Sequence, residues 1–105
     1  MKIIDLDGDR AIELAETFSL LADPSRLGIV TACANRARNV GDIAEHTGLS
    51  PSLVSHHLRL LKAARVLRGE RQGRHVFYSL ADDCIREVLG VMIGHLFDHA
   101  HHDDH

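Results

Sequence analysis

Histidine and acidic residues near the C-terminus are the side chains of this chain that are best suited to chemistry. Nine of the 105 residues are histidine, and five of them lie in the last eleven positions: His95, His99, His101, His102 and His105. Residues 81–105 also carry six Asp or Glu against one Arg, a net charge of −5. Imidazole and carboxylate groups are common metal ligands. The pattern indicates a surface that attracts cations, although the histidines of the tail, residues 100–105, are equally consistent with a solvated end.

A second charged region has the opposite sign. Residues 51–80 hold six Lys or Arg and one Glu, a net charge of +5, whereas residues 1–50 have a net charge of −3. The whole chain has a net charge of −3, which by itself argues against binding to nucleic acid. A basic block between two acidic ones is typical either of a phosphate-facing surface or of a solvated charged face. Charge alone does not separate these two interpretations.

Length and composition exclude several other classes of protein. A chain of 105 residues has room for one domain, and 45% hydrophobic with 26% charged residues is typical of a soluble globular protein. No apolar run approaches the ~20 residues of a membrane span. The N-terminus turns acidic too early for a secretory signal, so we expect a cytoplasmic protein. Two cysteines form no disulfide framework. No Ser/His/Asp or Cys/His arrangement is apparent, so we expect no enzymatic activity.

Hydrophobic periodicity and capping signals predict a mainly α-helical domain with one β-hairpin. Asp23-Pro24 and Ser50-Pro51 each combine an N-capping residue with a proline suited to the first helical position. Gly48 is a suitable C-cap, and Gln72-Gly73 between two short β-like runs predicts a hairpin turn. The predicted elements are helices over 9–22, 24–34, 41–46, 51–64 and 82–99, and strands over 66–71 and 75–80.

The segment 41–64 has the layout of a helix-turn-helix, in which a short helix, a Gly turn and a second helix follow one another. Polar side chains on one face of the second helix are suited to base edges and phosphates, although serines are also ordinary residues at a helix start. The arginines of the hairpin would form a wing beside a DNA duplex. The opposite face of the second helix, predicted to lie in the core, carries Leu53, His57, Leu60, Leu61 and Ala64. The predicted DNA-binding residues are Ser50, Ser52, Ser55, His56, Arg59, Arg68, Arg71 and Arg74.

Four stretches of the sequence resemble the ArsR/SmtB family of small bacterial winged-helix repressors, most of which respond to metals. They are LLADPSRL at 20–27, VGDIA at 40–44, SPSLVSHHLRLL at 50–61 and RQGRHVFYSL at 71–80, and the resemblance extends over about residues 11–99. It implies a single winged helix-turn-helix domain over 1–105, with about five helices, a helix-turn-helix at 41–64 and a wing at 66–80. It also implies a homodimer in which the helices at 9–22 and 82–99 pair. Such a dimer would bind operator DNA without inducer and release it when inducer binds.

The resemblance further implies a choice among the sensor sites of the family. Residues 38–42, which match a Cys-x-Cys stretch of the toxic-metal branch, contain no cysteine. Cys84 lies at the wrong end of the last helix for the thiol-sensing branch, whereas Cys33 is on the matching helix. The site between the last helices reads Asp-x-His, ten residues, His-x-x-His/Glu in the family. Here it reads Asp82-x-Cys84, ten residues, His95-x-x-Asp98. The predicted metal ligands are Asp82, Cys84, His95 and Asp98, with His99, His101 and His102 as additional candidates.

The spacing of these ligands requires two chains. Cys84 and His95 are eleven residues apart, so they share a helix face but lie ~16 Å apart along its axis at ~1.5 Å per residue. Ligand atoms lie about 2.0–2.3 Å from a tetrahedral ion, so one helix cannot supply both. Two antiparallel copies bring Asp82 and Cys84 of one chain to His95 and Asp98 of the other. Each ligand also has a simpler interpretation, namely a helix cap for Asp82, a core residue for Cys84 and an interface residue for His95.

These observations predict a metal-sensing repressor that binds operator DNA as an apo dimer. One thiolate, one imidazole and two carboxylates favour Zn(II) or Cd(II) as the inducer, bound between the last helices of the two subunits. Ni(II) or Co(II) is the alternative if tail histidines join the site. Two other functions remain open. One is a thiol-responsive repressor of the same fold that uses Cys33 and Cys84, and the other is a metal buffer with a vestigial DNA-binding helix.

Overall fold

The structure is a computed structural model that describes residues 2–98, with the backbone alone at Asp98. Five α-helices and one antiparallel hairpin follow one another in the described chain, and a π-helical turn at Gly94–Asp98 extends the last helix. The elements are α1 (Gly8–Leu21), α2 (Pro24–Asn35), α3 (Val40–Thr47), α4 (Pro51–Ala63), β1 (Leu67–Gln72), β2 (His75–Leu80) and α5 (Asp83–Ile93). This is the predicted mainly α winged helix-turn-helix, with boundaries that differ from the prediction by one or two residues except at the end of α5.

Side-chain caps explain where the helices begin. The side chain at each N-cap accepts a hydrogen bond from the backbone N–H three residues later, which satisfies one of the free donors of the first turn. Pro24 and Pro51 follow their caps directly, as predicted. Helix α3 begins at Val40 rather than at the predicted Gly41, because Asn39 is its cap. The five N-cap residues are Asp7, Asp23, Asn39, Ser50 and Asp82.

The hydrophobic core lies between α2, α3, α4 and the base of the hairpin. Its largest fully buried side chains are Ile29, Val30, Cys33, Ile43, Val54, Leu58, Leu61 and Leu67. His57 is also buried, as predicted, with 7% of its surface exposed. At the base of the hairpin, Val66 before β1 and Leu80 at the end of β2 belong to the same core. The core therefore holds the helix-turn-helix and the wing together in one chain.

The predicted core face of α4 was partly wrong. Leu53 and Leu60 are 39% and 37% exposed, and Ala64 is exposed as well. The buried face is instead Val54, His57, Leu58 and Leu61, at i, i+3, i+4 and i+7 spacing. The helix carries enough apolar residues to form two overlapping faces, and packing against α2 and α3 selects one of them.

Helices α1 and α5 contain no buried residue in the described chain. They contact the core through half-buried residues, including Leu20 and Leu21 of α1 and Ile85 and Leu89 of α5. The rest of their apolar surface is uncovered, and its exposed large side chains are Ile12, Leu14, Phe18, Val88, Val91, Met92, Ile93, Leu96 and Phe97. Contiguous apolar surface of this kind marks an interaction site.

The described part of α5 also differs from the predicted continuous helix over 82–99. Regular α-helix ends at Ile93, and a π-helical turn takes over from Gly94 to Asp98. His95 lies in this wider turn. Across residues 2–98, none of the helices combines the length and the hydrophobicity that crossing a membrane demands.

Candidate DNA interface and sensor helix

The turn between α3 and α4 has the geometry that a helix-turn-helix needs. Gly48 ends α3 in the left-handed conformation, with φ of 76°, and its N–H donates to the carbonyl of Ala44 at 2.9 Å. A side chain is strained at this φ, so glycine suits the position. Two residues later the Ser50 hydroxyl accepts a hydrogen bond from the Leu53 N–H at 3.2 Å and begins α4. The two helices of the motif are thus fixed by local capping.

The predicted DNA-binding face of α4 lies on the outside of the domain. Ser52, His56 and Arg59 are exposed, and Ser55 is half-buried. Ser50 is exposed too, although its hydroxyl is engaged as the N-cap of α4. The face opposite the buried residues of α4 is therefore polar and accessible, as a helix that enters a major groove requires.

The hairpin carries the predicted wing arginines. Strands β1 and β2 pair antiparallel in a register that places Gln72 opposite His75, so that Gly73 and Arg74 form the two-residue turn. Gly73 has a φ of 65°, as hairpin turns of this length demand. Arg68, Arg71 and Arg74 are exposed, and the Arg68 Nε lies 3.4 Å from the Ser79 Oγ. The hairpin thus carries three exposed arginines against one exposed acidic residue, Glu70.

A second contact of the hairpin was not predicted. Arg38, in the loop between α2 and α3, forms an antiparallel bridge with Tyr78 of β2. The Arg38 N–H donates to the Tyr78 carbonyl at 3.0 Å, and the Tyr78 N–H donates to the Arg38 carbonyl at 2.8 Å. A one-residue bridge leaves no periodic signal in the sequence, so the sequence pattern does not predict it.

His57 is a buried histidine at the centre of the helix-turn-helix. Its Nδ1 has no hydrogen-bond partner in the described part of the chain. Burial lowers its pKa, the Arg26 and His56 charges lower it further, and Asp23 acts in the opposite direction. The neutral imidazole is therefore the form that the fold favours.

The predicted metal ligands are spread along α5. Asp82 is the N-cap, and its Oδ1 accepts a hydrogen bond from the Ile85 N–H at 3.1 Å. Cys84 is exposed in the first turn, and His95 is exposed in the π-helical turn at the other end. The side chain of Asp98 and all of His99, His101 and His102 lie outside the described residues. Within residues 2–98, one chain brings no three potential ligands together.

Comparisons with known proteins agree with this architecture. Residues 23–68, which contain α2, α3 and α4, match the sequence profile of a protein family described as "Bacterial regulatory protein, arsR family". A Transcriptional repressor SmtB homolog from Synechocystis is 43% identical over 84% of this chain and 67% of its own length. The HTH-type transcriptional regulator NmtR of Mycobacterium tuberculosis is 41% identical over 91% of this chain and 79% of its own length. The chain belongs to the ArsR family.

A solved structure extends the comparison to the ArsR-family fold. The homodimeric winged helix-turn-helix DNA-binding domain of a possible ArsR-family transcriptional regulator from Mycobacterium bovis has a TM-score of 0.73 with this chain. The two are 25% identical, and the match covers 87% of this chain and 86% of the other. The domain described above is therefore that of a transcriptional regulator with a winged helix-turn-helix.

The two cysteines of this ArsR-family chain have unlike surroundings. Cys33 is buried in the core, and burial raises its pKa to about 11, although the nearby Arg38 charge acts in the opposite direction. Its thiol is therefore protonated at neutral pH and is a poor nucleophile. Cys84 is exposed on α5. This contrast disfavours a switch that requires both thiols to react.

Proposed function

We propose that this protein is a metal-responsive transcriptional repressor. As a homodimer it binds operator DNA through α4 and the wing, and it is released when Zn(II) or Cd(II) binds between the α5 helices of the two subunits. The observation that carries the proposal is the surface of α5. Asp82, Cys84 and His95 are exposed along α5 and the π-helical turn that extends it, where most of the large apolar side chains are also exposed within one chain.

The DNA-binding part of the proposal is supported by accessible polar and basic side chains. Ser52, His56 and Arg59 are exposed on α4, and Arg71 and Arg74 are exposed at the tip of the wing. A helix in the major groove contacts base edges with such residues, while basic wing residues neutralise backbone phosphates. The membership of the chain in a family of bacterial regulatory proteins supports the same function.

The dimer is supported by what α1 and α5 leave uncovered. The side chains more than half exposed in one chain include Phe18 of α1, Val88 and Val91 of α5, and Leu96 of the π-helical turn. A second copy would remove these apolar side chains from water, which stabilises an interface by about 25 cal/mol per Å² of buried surface. The homodimeric Mycobacterium bovis domain is a structural precedent.

The residues of α5 fit a borderline metal ion. Asp82 uses one carboxylate oxygen to cap the helix, and a carboxylate has a second oxygen that can bind metal. Cys84 supplies a thiol and His95 an imidazole, a set that suits Zn(II) or Cd(II). The π-helical turn at His95 supports the assignment further, since such turns are frequent at functional sites.

Release of DNA follows from linkage between the two sites. A metal ion that joins two chains fixes the angle between the subunits and hence the separation of the two α4 helices. Operator half-sites have a fixed spacing, so a changed separation weakens DNA binding. A coupling free energy of about 1–3 kcal/mol corresponds to a 5- to 150-fold loss of operator affinity.

The test is fluorescence anisotropy of the full chain on DNA from its own promoter, with EDTA, Zn(II), Cd(II), Ni(II) and Co(II) in turn. We expect tight binding in EDTA and release by Zn(II) or Cd(II). The His95→Ala variant should bind DNA normally and lose release by metal. Glu87→Gln, which removes another exposed carboxylate from α5, is the matched control and should respond like the unaltered protein.

Each other result overturns part of the proposal. Release by Ni(II) or Co(II) alone would replace the proposed ion and implicate the tail histidines. If His95→Ala abolishes DNA binding itself, the assignment of His95 to the sensor site is wrong. If no metal changes the affinity, the metal site is wrong. If no promoter DNA is bound in EDTA, repression by the apo dimer is wrong and a metal buffer becomes the better hypothesis.

A further inference from the structure

The backbone of the wing has two attachments to the helix-turn-helix. At its base the chain continues from α4, and the Val66 N–H donates to the Leu61 carbonyl at 2.9 Å. Further along β2, it pairs with one residue of the loop between α2 and α3. In residues 2–98, the β-type backbone pairing outside the β1–β2 ladder is the single bridge between Arg38 and Tyr78. Tyr78 lies near the middle of β2, opposite Gly69 of β1. A Cβ at Gly69 would lie 3.1 Å from the Tyr78 ring, so the ring lies directly over β1. A shift of Tyr78 would therefore also move β1, the strand that carries Arg68 and Arg71.

The side chain of Arg38 links its loop to the two helices that flank it, α2 and α3. Its Nε donates to the carbonyl of Ala32 at 2.7 Å, and its Nη1 lies 3.3 Å from both carboxylate oxygens of Asp42. Ala32 is in the last turn of α2, where carbonyls have no partner within the helix. Asp42 is in the first turn of α3. One side chain therefore joins the end of α2 to the start of α3, while its backbone joins both to the wing.

Arg38 is poorly placed to contact DNA itself. Its side chain is 13% exposed, and its guanidinium is occupied by Ala32 and Asp42. The neighbouring Arg36 provides a comparison within the same loop. Its side chain is 68% exposed, and it pairs with the same carboxylate at 3.4 Å. The two arginines thus have the same charge and share a partner, but differ in whether they join the three elements.

We propose that Arg38 is a positioning residue for DNA binding, which holds the wing at the distance from α4 at which both contact the duplex. The inference rests on the proposed DNA-binding function and adds to it a residue outside the predicted interface. Without the guanidinium, the loop loses its ties to Ala32 and Asp42, and the wing arginines lose their fixed position against the phosphates. A side chain that does not contact DNA then sets how much the wing contributes to binding.

The first test is a double-mutant cycle on promoter DNA, measured by anisotropy in EDTA at several salt concentrations. Arg38→Gln should weaken binding about tenfold, the effect of losing one or two phosphate contacts, and should flatten the dependence on salt. Arg71→Ala should then cost less in the Arg38→Gln background than alone, because the wing is already displaced. Arg36→Gln, the matched control, should leave the effect of Arg71→Ala unchanged.

A second readout does not depend on DNA. Tyr78 is the one tyrosine in a chain without tryptophan, so tyrosine fluorescence reports on the wing junction directly. Arg38→Gln should change the fluorescence anisotropy and quenching of Tyr78 at unchanged helix content, and Arg36→Gln should not. Arg38→Lys keeps the charge but cannot bind Ala32 and Asp42 together, so we expect it to restore DNA binding only in part. If Arg38→Gln does not fold, Arg38→Lys takes its place in both measurements.

The outcomes separate this inference from the proposed function. Unaltered Tyr78 fluorescence together with additive effects of Arg38→Gln and Arg71→Ala overturns the positioning role. The same holds if Arg36→Gln is as damaging as Arg38→Gln, since charge alone would then explain the effect. If the unaltered protein does not bind its promoter DNA, the proposed function itself is wrong, and the positioning role in DNA binding is withdrawn with it.

Discussion

The helix-turn-helix and the pair formed by α1 and α5 differ in how far one chain can bury them. Helices α2, α3 and α4 place their apolar faces in a common core with the base of the hairpin. Helices α1 and α5 have apolar residues at similar spacing but bury none of them completely. The first, or complete, region is therefore fully packed within one chain, whereas the second, or incomplete, region leaves apolar surface exposed that the proposed dimer would cover. The sensor residues that we propose lie on the incomplete region, where a second chain can both cover the surface and complete the ligand set.

The largest effect should come from a cavity in the complete region. Leu58→Ala removes a fully buried side chain, and such changes lower the free energy of unfolding by about 2–5 kcal/mol. Val91→Ala, on the exposed surface of α5, should lower the free energy of unfolding by about 1 kcal/mol or less at low protein concentration. Urea denaturation measures both. Equal losses at low concentration would contradict the distinction between the two regions.

A charge on the incomplete region should weaken dimerisation. Val91 lies between Cys84 and His95 along α5 and is exposed in one chain. Val91→Asp places an unpaired carboxylate in the proposed interface, which costs on the order of 2 kcal/mol and weakens the dimer roughly thirtyfold. Sedimentation velocity over a range of concentrations measures this effect. Ile3→Asp, at an exposed position before α1, is the control and should leave the association unchanged.

The stability of the complete region should depend on pH through His57. Its pKa is lowered in the folded protein, so below the ordinary histidine pKa of about 6.5 the unfolded chain binds more protons than the folded one. Stability is thus fully present above about pH 6.5 and is lost as the pH falls through the folded pKa. Urea denaturation curves at a series of pH values below about 6.5 should show this loss of stability, and the loss should be smaller in His57→Leu. A loss of the same size in His57→Leu would exclude His57 as its source.

The smallest effect should come from one wing arginine. Arg71→Ala should weaken binding to all DNA sequences about equally and reduce the slope of log K against log salt by about 0.9 if one phosphate contact is lost. Anisotropy with promoter DNA and with a scrambled duplex measures both quantities. A loss confined to promoter DNA would instead indicate that Arg71 contacts a base.

Local signals in the sequence were sufficient for most of the secondary structure. The caps at Asp23 and Ser50 and the αL glycine at Gly48 act within a few residues, so their effect does not depend on the rest of the fold. The hairpin and the buried position of His57 were predicted for similar reasons of local pattern. The choice of Asp82, Cys84, His95 and Asp98 as metal ligands stays a prediction, since it depends on a second chain.

Two features were decided by tertiary packing. Helix α4 has two overlapping apolar faces, formed by Leu53, Val54, Leu58, Leu60 and Leu61. Contact with α2 and α3 buries Val54 and Leu58 rather than Leu53 and Leu60. Arg38 acquires its role because the fold brings Tyr78, forty positions later in the chain, against the loop between α2 and α3. The sequence by itself determined the helices and the hairpin to within one or two residues, except at the end of α5, because capping and turn chemistry are local. Which face is buried and which loop anchors the wing depend on contacts between distant residues, and these exist in the folded chain alone.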